Sequence, residues 1–336
     1  MIKACIGRLA EGKSISGEEA YGALRAIMTG EATPAQIAAF ITALRIRGET
    51  PDIIAGAARA MCEQFTAVEP HHARVVDTCG TGGDGAHTFN ISTAAALVTA
   101  GAGVPVAKHG NKSVSSHCGS ADVLAELGVN ITVDATVMSA CLKEVGLAFL
   151  FAPSLHPAMK HAIGPRREIG IRTIFNILGP LSNPAGAKRG VLGVYSKDLA
   201  TVLAEALVQL GAEHMFVVHG EDGLDEISIA APTHLAEVRD GAVRTYRLHP
   251  SEYGIKPAKP EDLRGGDPAD NATIIRAVLD GQQGPRRDIV LLNAAVAIMT
   301  GEQAASIEEG IKAAANAIDS GAARAKLEQL ITFTQK

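Results

Sequence analysis

The chain reads as an α/β protein: a small N-terminal all-helical domain followed by a larger α/β domain with a mostly parallel central sheet. Three observations predict this. Helix-start signals recur through residues 1–70 with no strand pattern among them. From Arg74 onward, short β-rich runs alternate with helical ones, and such alternation implies right-handed crossovers in a parallel sheet. Hydrophobic residues make up 47% and charged residues 20% of 336 positions, enough apolar material for one large domain or two ordinary ones. The predicted division is 1–70 and 71–336.

Each element rests on local chemistry. Ser16 precedes Gly17-Glu18-Glu19, and Thr33 precedes Pro34-Ala35-Gln36; both are capping boxes, the second with Pro at the first helical position. Thr50-Pro51 repeats the cap-plus-Pro signal. Between these caps, Ile37, Phe40, Ile41 and Leu44, then Ile53, Ala57 and Met61, recur at helical spacing. Arg74-Val75-Val76-Asp77-Thr78 then reads as a strand, 91–102 as a buried Ala-rich helix, and Gly103-Val104-Pro105-Val106-Ala107 as a second strand. Residues 121–127 read as helix and 130–133 as strand. Leu147-Ala148-Phe149-Leu150-Phe151 and Met215-Phe216-Val217-Val218 are apolar runs bounded by polar turns. Residues 227–248 look like strands joined by turns such as Asp240-Gly241, which predicts an antiparallel edge. From Asn271 the chain returns to helices.

Composition excludes several classes of function. Net charge is −5, Trp is absent and aromatics are 4%, which argues against an electrostatic or stacking nucleic-acid surface. Cys5, Cys62, Cys79, Cys118 and Cys141 are odd in number and form no C-x-x-C pair, so they read as reduced thiols. The N-terminal residues do not resemble a signal peptide, and no apolar stretch reaches a membrane span. A cytoplasmic location is the expectation.

Two literal motif matches fail on context. Residues 7–14 fit the P-loop pattern, but only six residues precede them and those read as helix. Gly80-x-Gly82-x-x-Gly85 fits the dinucleotide fingerprint and follows a strand. The end of the next strand, however, carries Lys108 where that fingerprint wants an acid for a ribose hydroxyl.

Three loops hold the chemistry. Asp77-Thr78-Cys79-Gly80-Thr81-Gly82-Gly83-Asp84-Gly85 is glycine-dense, which lets backbone N–H groups close on an anion. Thr88-Phe89-Asn90-Ile91-Ser92-Thr93 then opens a helix whose dipole favours the same anion; for Asn90 alone, a plain helix cap is the simpler reading. The second strand leads into Lys108-His109-Gly110-Asn111-Lys112-Ser113-Val114-Ser115-Ser116, which supplies the charge and neutral donors a polyphosphate needs. Gly220-Glu221-Asp222-Gly223-Leu224-Asp225-Glu226 would repel a polyphosphate unless a cation intervened. Asp225 and Glu226, with Ser92, are the candidate Mg²⁺ ligands. His156 and His161 read as surface or packing residues. Arg166 or Arg167 could hold a carboxylate through the planar guanidinium.

Taken together, the segments 77–93 (DTCGTGGDGAHTFNIST), 108–116 (KHGNKSVSS), 119–122 (GSAD), 156–161 (HPAMKH), 172–184 (RTIFNILGPLSNP) and 224–228 (LDEIS) resemble the anthranilate phosphoribosyltransferases, of the glycosyltransferase family that also holds pyrimidine nucleoside phosphorylases. The resemblance implies transfer of phosphoribose from 5-phosphoribosyl 1-diphosphate (PRPP) to the anthranilate amine, with pyrophosphate released, in tryptophan synthesis. It implies PRPP contacts from Gly80, Gly83, Asp84 and Thr88, and from Asn90, Ile91, Ser92 and Thr93 at the helix start. Further contacts would come from Lys108, His109, Gly110, Asn111, Lys112, Ser113, Val114, Ser115 and Ser116, and from Ser120. Gly80, Asn111 and Arg166 would contact anthranilate. Ser92, Asp225 and Glu226 would serve Mg²⁺, two ions with PRPP bound, and no side chain is expected to act as a dedicated general base. The resemblance also implies that helices from about 166–185 rejoin the helical domain, and that the chain dimerises through its N-terminal helices. Departures from the family's usual pattern are Lys112 in place of Arg, the pair His117-Cys118, and Gly164-Pro165 before Arg166.

Overall fold

The computed structural model describes residues 1–113 and 117–336. The N-terminal unit comprises α1 (Ile2–Ala10), α2 (Gly17–Met28), α3 (Pro34–Arg47) and α4 (Pro51–Cys62). Both capping boxes form. The Glu19 N–H donates to Ser16 Oγ at 3.2 Å while the Ser16 N–H donates to Glu19 Oε2 at 2.8 Å. Thr33 and Gln36 exchange the same pair of bonds, and Thr50 Oγ1 accepts from the Ile53 N–H. The P-loop-like string begins inside α1.

The α/β part runs β1 (Val76–Gly80), α5 (Ile91–Gly101), β2 (Val106–Gly110), α6 (Ser120–Glu126), α7 (Ala135–Val145), β3 (Leu147–Phe151) and α8 (Ala152–Leu155). It continues through α9 (Lys160–Ile169), α10 (Phe175–Leu178), β4 (Arg189–Gly193), α11 (Lys197–Gln209), β5 (His214–Gly220), β6 (Thr233–Arg239) and β7 (Ala242–Leu248). Four helices close it: α12 (Pro268–Leu279), α13 (Pro285–Thr300), α14 (Ile307–Asp319) and α15 (Ala322–Thr334). The sheet order is β3-β2-β1-β4-β5-β6-β7. The first five strands are parallel, and β6 and β7 add the expected antiparallel edge. Their hairpin turns at Asp240-Gly241, where φ is +52° and +72°, the twist that suits a two-residue loop.

Four details differ from the sequence reading. Strand β2 begins at Val106, because Gly103 has φ +90° and Pro105 has no N–H to give a ladder. Lys108, His109 and Gly110 are therefore strand residues, and the loop starts at Asn111. Residues 130–133 form a turn, since Asn130 Oδ1 accepts both the N–H and the hydroxyl of Thr132, a local bond that competes with a ladder. Strand β4, five residues of which two are Gly190 and Gly193, gave too little apolar signal to be read. The closing helices begin at Pro268, capped by Asp267.

Strand periodicity divides the core. Phe216, Val218 and Leu235 join the apolar cluster with α5 and α13. Met215, Val217, Ala236 and Val238 face the other way, into a cluster that continues through α11 to α4 and the rest of the helical unit. Helices α9 and α10 contribute Ala162, Phe175 and Leu178 to this second cluster, with α9 packed on α3.

The α2–α4 crossing depends on glycine. A Cβ on Gly56 would lie 2.0 Å from the Gly17 carbonyl oxygen, so the helices must part to admit one. Gly56→Ala is expected to cost about 1–3 kcal/mol by chemical denaturation. Gly164→Ala, where no atom lies within 4 Å of the added carbon, should cost nothing.

Candidate functional site

Strands β1, β2 and β3 advance in one direction across the sheet, and β4 returns to the far side of β1. The β1–β4 border is thus a topological switch point, where parallel sheets open a crevice at their carboxyl ends. Both strands end there in glycine, with Gly80 paired to Gly193. The missing side chains make room for Asp225. A Cβ at Gly193 would lie 1.6 Å from the Asp225 carbonyl, and one at Gly80 2.8 Å from its carboxylate.

The glycine loop wraps over this carboxylate. Gly82, Gly83 and Gly85 have φ of +65°, +80° and +74°, and the Gly82 N–H donates to Asp225 Oδ2 at 2.8 Å. Next to it, the Ser92 N–H in the first turn of α5 donates to Glu226 Oε1 at 3.1 Å. The first loop and the α5 start thus meet the acidic pair, 143 and 134 residues away in sequence. Burial pushes both carboxyl groups well above the usual range, and charge repulsion from Asp84 (on Asp225) and from Asp225 (on Glu226) adds to it.

Lys108 supplies the opposing charge. It is 3% exposed, and its Nζ donates to the Thr78 carbonyl at 2.6 Å and to Ser92 Oγ at 3.4 Å. Its charge acts on Glu226, while Asp84 and Asp225 repel one another beside it, an imbalance that suits a hard cation on carboxylate and hydroxyl oxygens. The cleft is lined by Thr78, Gly80, Ser92, Gly193, Asp225 and Glu226. Asp77, Cys79 and His109 also cluster, but Asp77 is taken up by the His109 N–H at 3.0 Å and Asn183 Nδ2 at 2.7 Å. That cluster is a structural knot.

The second loop is pinned at its base. Asp122 Oδ2 accepts the N–H groups of Ser113 and Gly119 at 3.0 and 2.9 Å, and the Asn111 carbonyl accepts Ser120 Oγ–H at 3.4 Å. Asn111 and Lys112 are exposed. Val114, Ser115 and Ser116 lie outside the described residues. Gly110 is tightly enclosed, since a Cβ there would reach Ser120 Oγ at 2.2 Å.

Other predicted residues take different positions. Ile91 is 1% exposed and offers only its backbone. Thr93 is equally buried, and its Oγ1 has no hydrogen-bond partner among the described residues. Thr88 pairs its backbone with Arg264. Asn90 occupies the N-cap of α5, but its side chain makes no cap hydrogen bond; the simple-cap reading is thereby corrected. The His109 ring turns toward Gly179, whose carbonyl it meets at 3.2 Å, and toward His156 at 3.2 Å. His161 instead lies against Gly30, so the two histidines of that segment do not converge. Arg166 stacks over Phe175 at 5.1 Å, and burial lowers its pKa; Arg167 is exposed.

Arg172 carried no role in the sequence reading. It stacks 4.2 Å over Tyr195 and donates to the Gly83 carbonyl, holding the glycine loop against the segment between α9 and α10. Nothing local to the sequence marks this contact; only the fold brings residues 83 and 172 together.

Residues 72–324 match the family model described as the glycosyl transferase family a/b domain, and residues 3–65 its helical bundle domain. The chain is 57% identical to an anthranilate phosphoribosyltransferase of Pelotomaculum thermopropionicum, covering 99% of this chain and 97% of the relative. Among solved structures it is similar to the anthranilate phosphoribosyltransferase of Thermus thermophilus (TM-score 0.94, 43% identity, 99% of each chain). It is also similar to that of Saccharomyces cerevisiae in complex with PRPP and Mg (TM-score 0.91, 31% identity, 99% and 98% covered).

The buried histidine pair sets a pH dependence. Burial pushes His109 down to about 3 and His156 to about 4, so below about pH 6.5 the unfolded chain binds their protons first. Stability from the pair is whole above about pH 6.5 and drains as the pH falls through about 4 and then 3. Each ring contributes up to about 1.4 kcal/mol per pH unit in its window. Denaturant midpoints at pH 7.5 and 5 should fall less steeply for His156→Gln than for the unaltered chain; equal slopes would refute the assignment.

Proposed function

The chain belongs to the glycosyl transferase family, and we propose that it acts as an anthranilate phosphoribosyltransferase, moving the phosphoribosyl group of PRPP to the anthranilate amine. The products are N-(5-phosphoribosyl)anthranilate and pyrophosphate, in L-tryptophan biosynthesis. The observation that carries this reading is the switch-point cleft, where the glycine loop, the α5 start and Lys108 converge on Asp225 and Glu226. Relatives of that name at more than half identity, matched along nearly their whole length, support it.

The PRPP diphosphate lies along the Gly80–Asp84 turn and the α5 start, in the field of Lys108, with Asn111 and Ser120 beside it. Asp225, Glu226 and Ser92 would hold Mg²⁺, with two ions expected when PRPP is bound. When bound, the ion offsets negative charge on the departing diphosphate. The protein's own share is to hold the C1′ carbon and the amine in line and to place Lys108 and helix-start N–H groups where charge develops. Gly80 and Asn111 border the acceptor, and the Arg166 guanidinium takes its carboxylate. The amine nitrogen is already neutral at pH 7 and needs no dedicated base.

A phosphorylase on the same fold would use inorganic phosphate; the Mg²⁺-type acidic pair beside the glycine loop favours PRPP. Residues 1–70, joined by 166–185, form the helical domain. Its α1–α3 groove, about 750 Å³ and lined by Ile6, Leu9, Ala39, Ala43 and Ile46, supports dimerisation with a second copy. Helix α3 buries Ile37, Phe40, Ile41 and Leu44 inside yet leaves Ile46 77% exposed on its outer side. We place the enzyme in the cytoplasm; none of its five cysteines is in a disulfide, and no helix among the described residues is long and apolar enough to cross a membrane.

Mixing the protein with PRPP, Mg²⁺ and anthranilate should quench anthranilate fluorescence, and folded protein without that loss refutes the activity. Asp225→Asn with Glu226→Gln is expected to lower turnover at least about a hundredfold and to change its Mg²⁺ dependence. Ile46→Glu should convert a dimer to monomer by light scattering; a monomeric unaltered protein would rule out the dimer.

A further inference from the structure

An asparagine at an N-cap ordinarily receives an N–H from the first helical turn. Asn90 does not. Its Nδ2 donates to the Cys118 carbonyl at 3.1 Å, and its Oδ1 accepts from Asn271 Nδ2 at 3.0 Å. Asn271, in the first turns of α12, is 1% exposed, and its own Oδ1 accepts the Gly266 N–H at 2.9 Å. The chain of bonds ends at both sides in backbone groups of fixed polarity, an N–H at Gly266 and a carbonyl at Cys118. Each amide can therefore face only one way.

The surrounding backbone grips the same spot. The Phe89 N–H donates to the Leu263 carbonyl and the Gly265 N–H to the His87 carbonyl, each at 3.0 Å, while Thr88 pairs with Arg264. Gly265 makes the approach possible, since a Cβ there would stand 2.7 Å from Phe89 Cα and 2.5 Å from Asn271 Oδ1. Residues 263–271 thus brace the entry to α5, and Asn271 links it through Asn90 to the second ligand loop at Cys118.

We propose that Asn271 is a positioning residue for PRPP: it fixes the Asn90 amide so that its remaining N–H and carbonyl lone pair face the phosphorylated sugar. The proposal rests on the PRPP reading above. Asn90 uses one amide hydrogen and one lone pair in the two bonds described, which leaves one of each for a ligand. The bonds also explain why a cap residue forgoes its cap.

The test is a double-mutant cycle of Asn271→Ala with Asn90→Ala, with PRPP and anthranilate varied separately at saturating Mg²⁺. Asn271→Ala alone should raise the KM for PRPP about tenfold and leave that for anthranilate unchanged. In the Asn90→Ala background it should add less than twofold, because its effect passes through Asn90. Asn271→Asp, close in size, keeps an acceptor for Gly266 but sets a carboxylate oxygen against Asn90 Oδ1, so it should raise the KM for PRPP at least as much. Effects that multiply, a parallel rise in both KM values, or an unchanged KM for PRPP would each overturn the proposal. So would loss of cooperative melting in both Asn271 variants, which would make the residue a packing element. Failure of the underlying reading looks different: the unaltered protein would then show no PRPP-dependent loss of anthranilate.

Discussion

The Asp225 carboxylate lies across two strand ends that have no side chains, and accepts the Gly82 N–H there. Most of the site follows from that contact. Gly193 must be glycine because the Asp225 backbone occupies the space of its Cβ, and a Cβ at Gly80 would press on the Asp225 carboxylate. The glycine loop can curl over the crevice because its backbone donors find an acceptor on the far side. The acidic residues are drawn under cover, where their charges repel one another and Lys108 offsets only part of the excess. A buried carboxylate cluster of this kind is costly by itself, and a bound cation would offset its internal repulsion. The stability given up in the free protein is what makes the crevice a site for a charged ligand.

Features with a local cause were legible in the sequence. Ser16, Thr33 and Thr50 announce helices through bonds that span three residues. The Leu147–Phe151 strand and the Asp240-Gly241 hairpin are equally self-contained. The glycine loop and the Lys108 strand end stood out because their composition is unusual for any turn. Strand β4 was missed because its five residues include two glycines and carry little pattern, and it owes its place to pairing with β1 and β5. Residues 130–133 had β-type composition, but Asn130 spends its oxygen on Thr132. Asn271 and Arg172 were silent for the opposite reason. Their partners, Asn90 and Gly83, stand 181 and 89 positions away, and nothing near either residue marks the contact.

The two ligand loops are held by different means. The first is tied at Gly82 to Asp225, at Gly83 to Arg172 and at Asn90 to Asn271, three elements from separate parts of the fold. Among its described residues, the second is tied to Asp122 at its own helix start and, at Cys118, to Asn90. The first loop thus inherits its shape from the whole α/β layer, and the start of α5 joins the two loops.

The apolar cluster beneath the helical bundle does not stop at the bundle. It runs through α4 and α11 to Met215, Val217 and Val238 on the sheet, with Gln209 and Asp52 bonded across the same seam at 2.7 Å. The two parts of the chain are separate blocks in sequence but share one interior. A bundle transplanted from a distant homologue would therefore have to match this sheet atom for atom along the seam. Exchange of the front block between lineages is penalised, and residues on either side of the seam are bound to drift together.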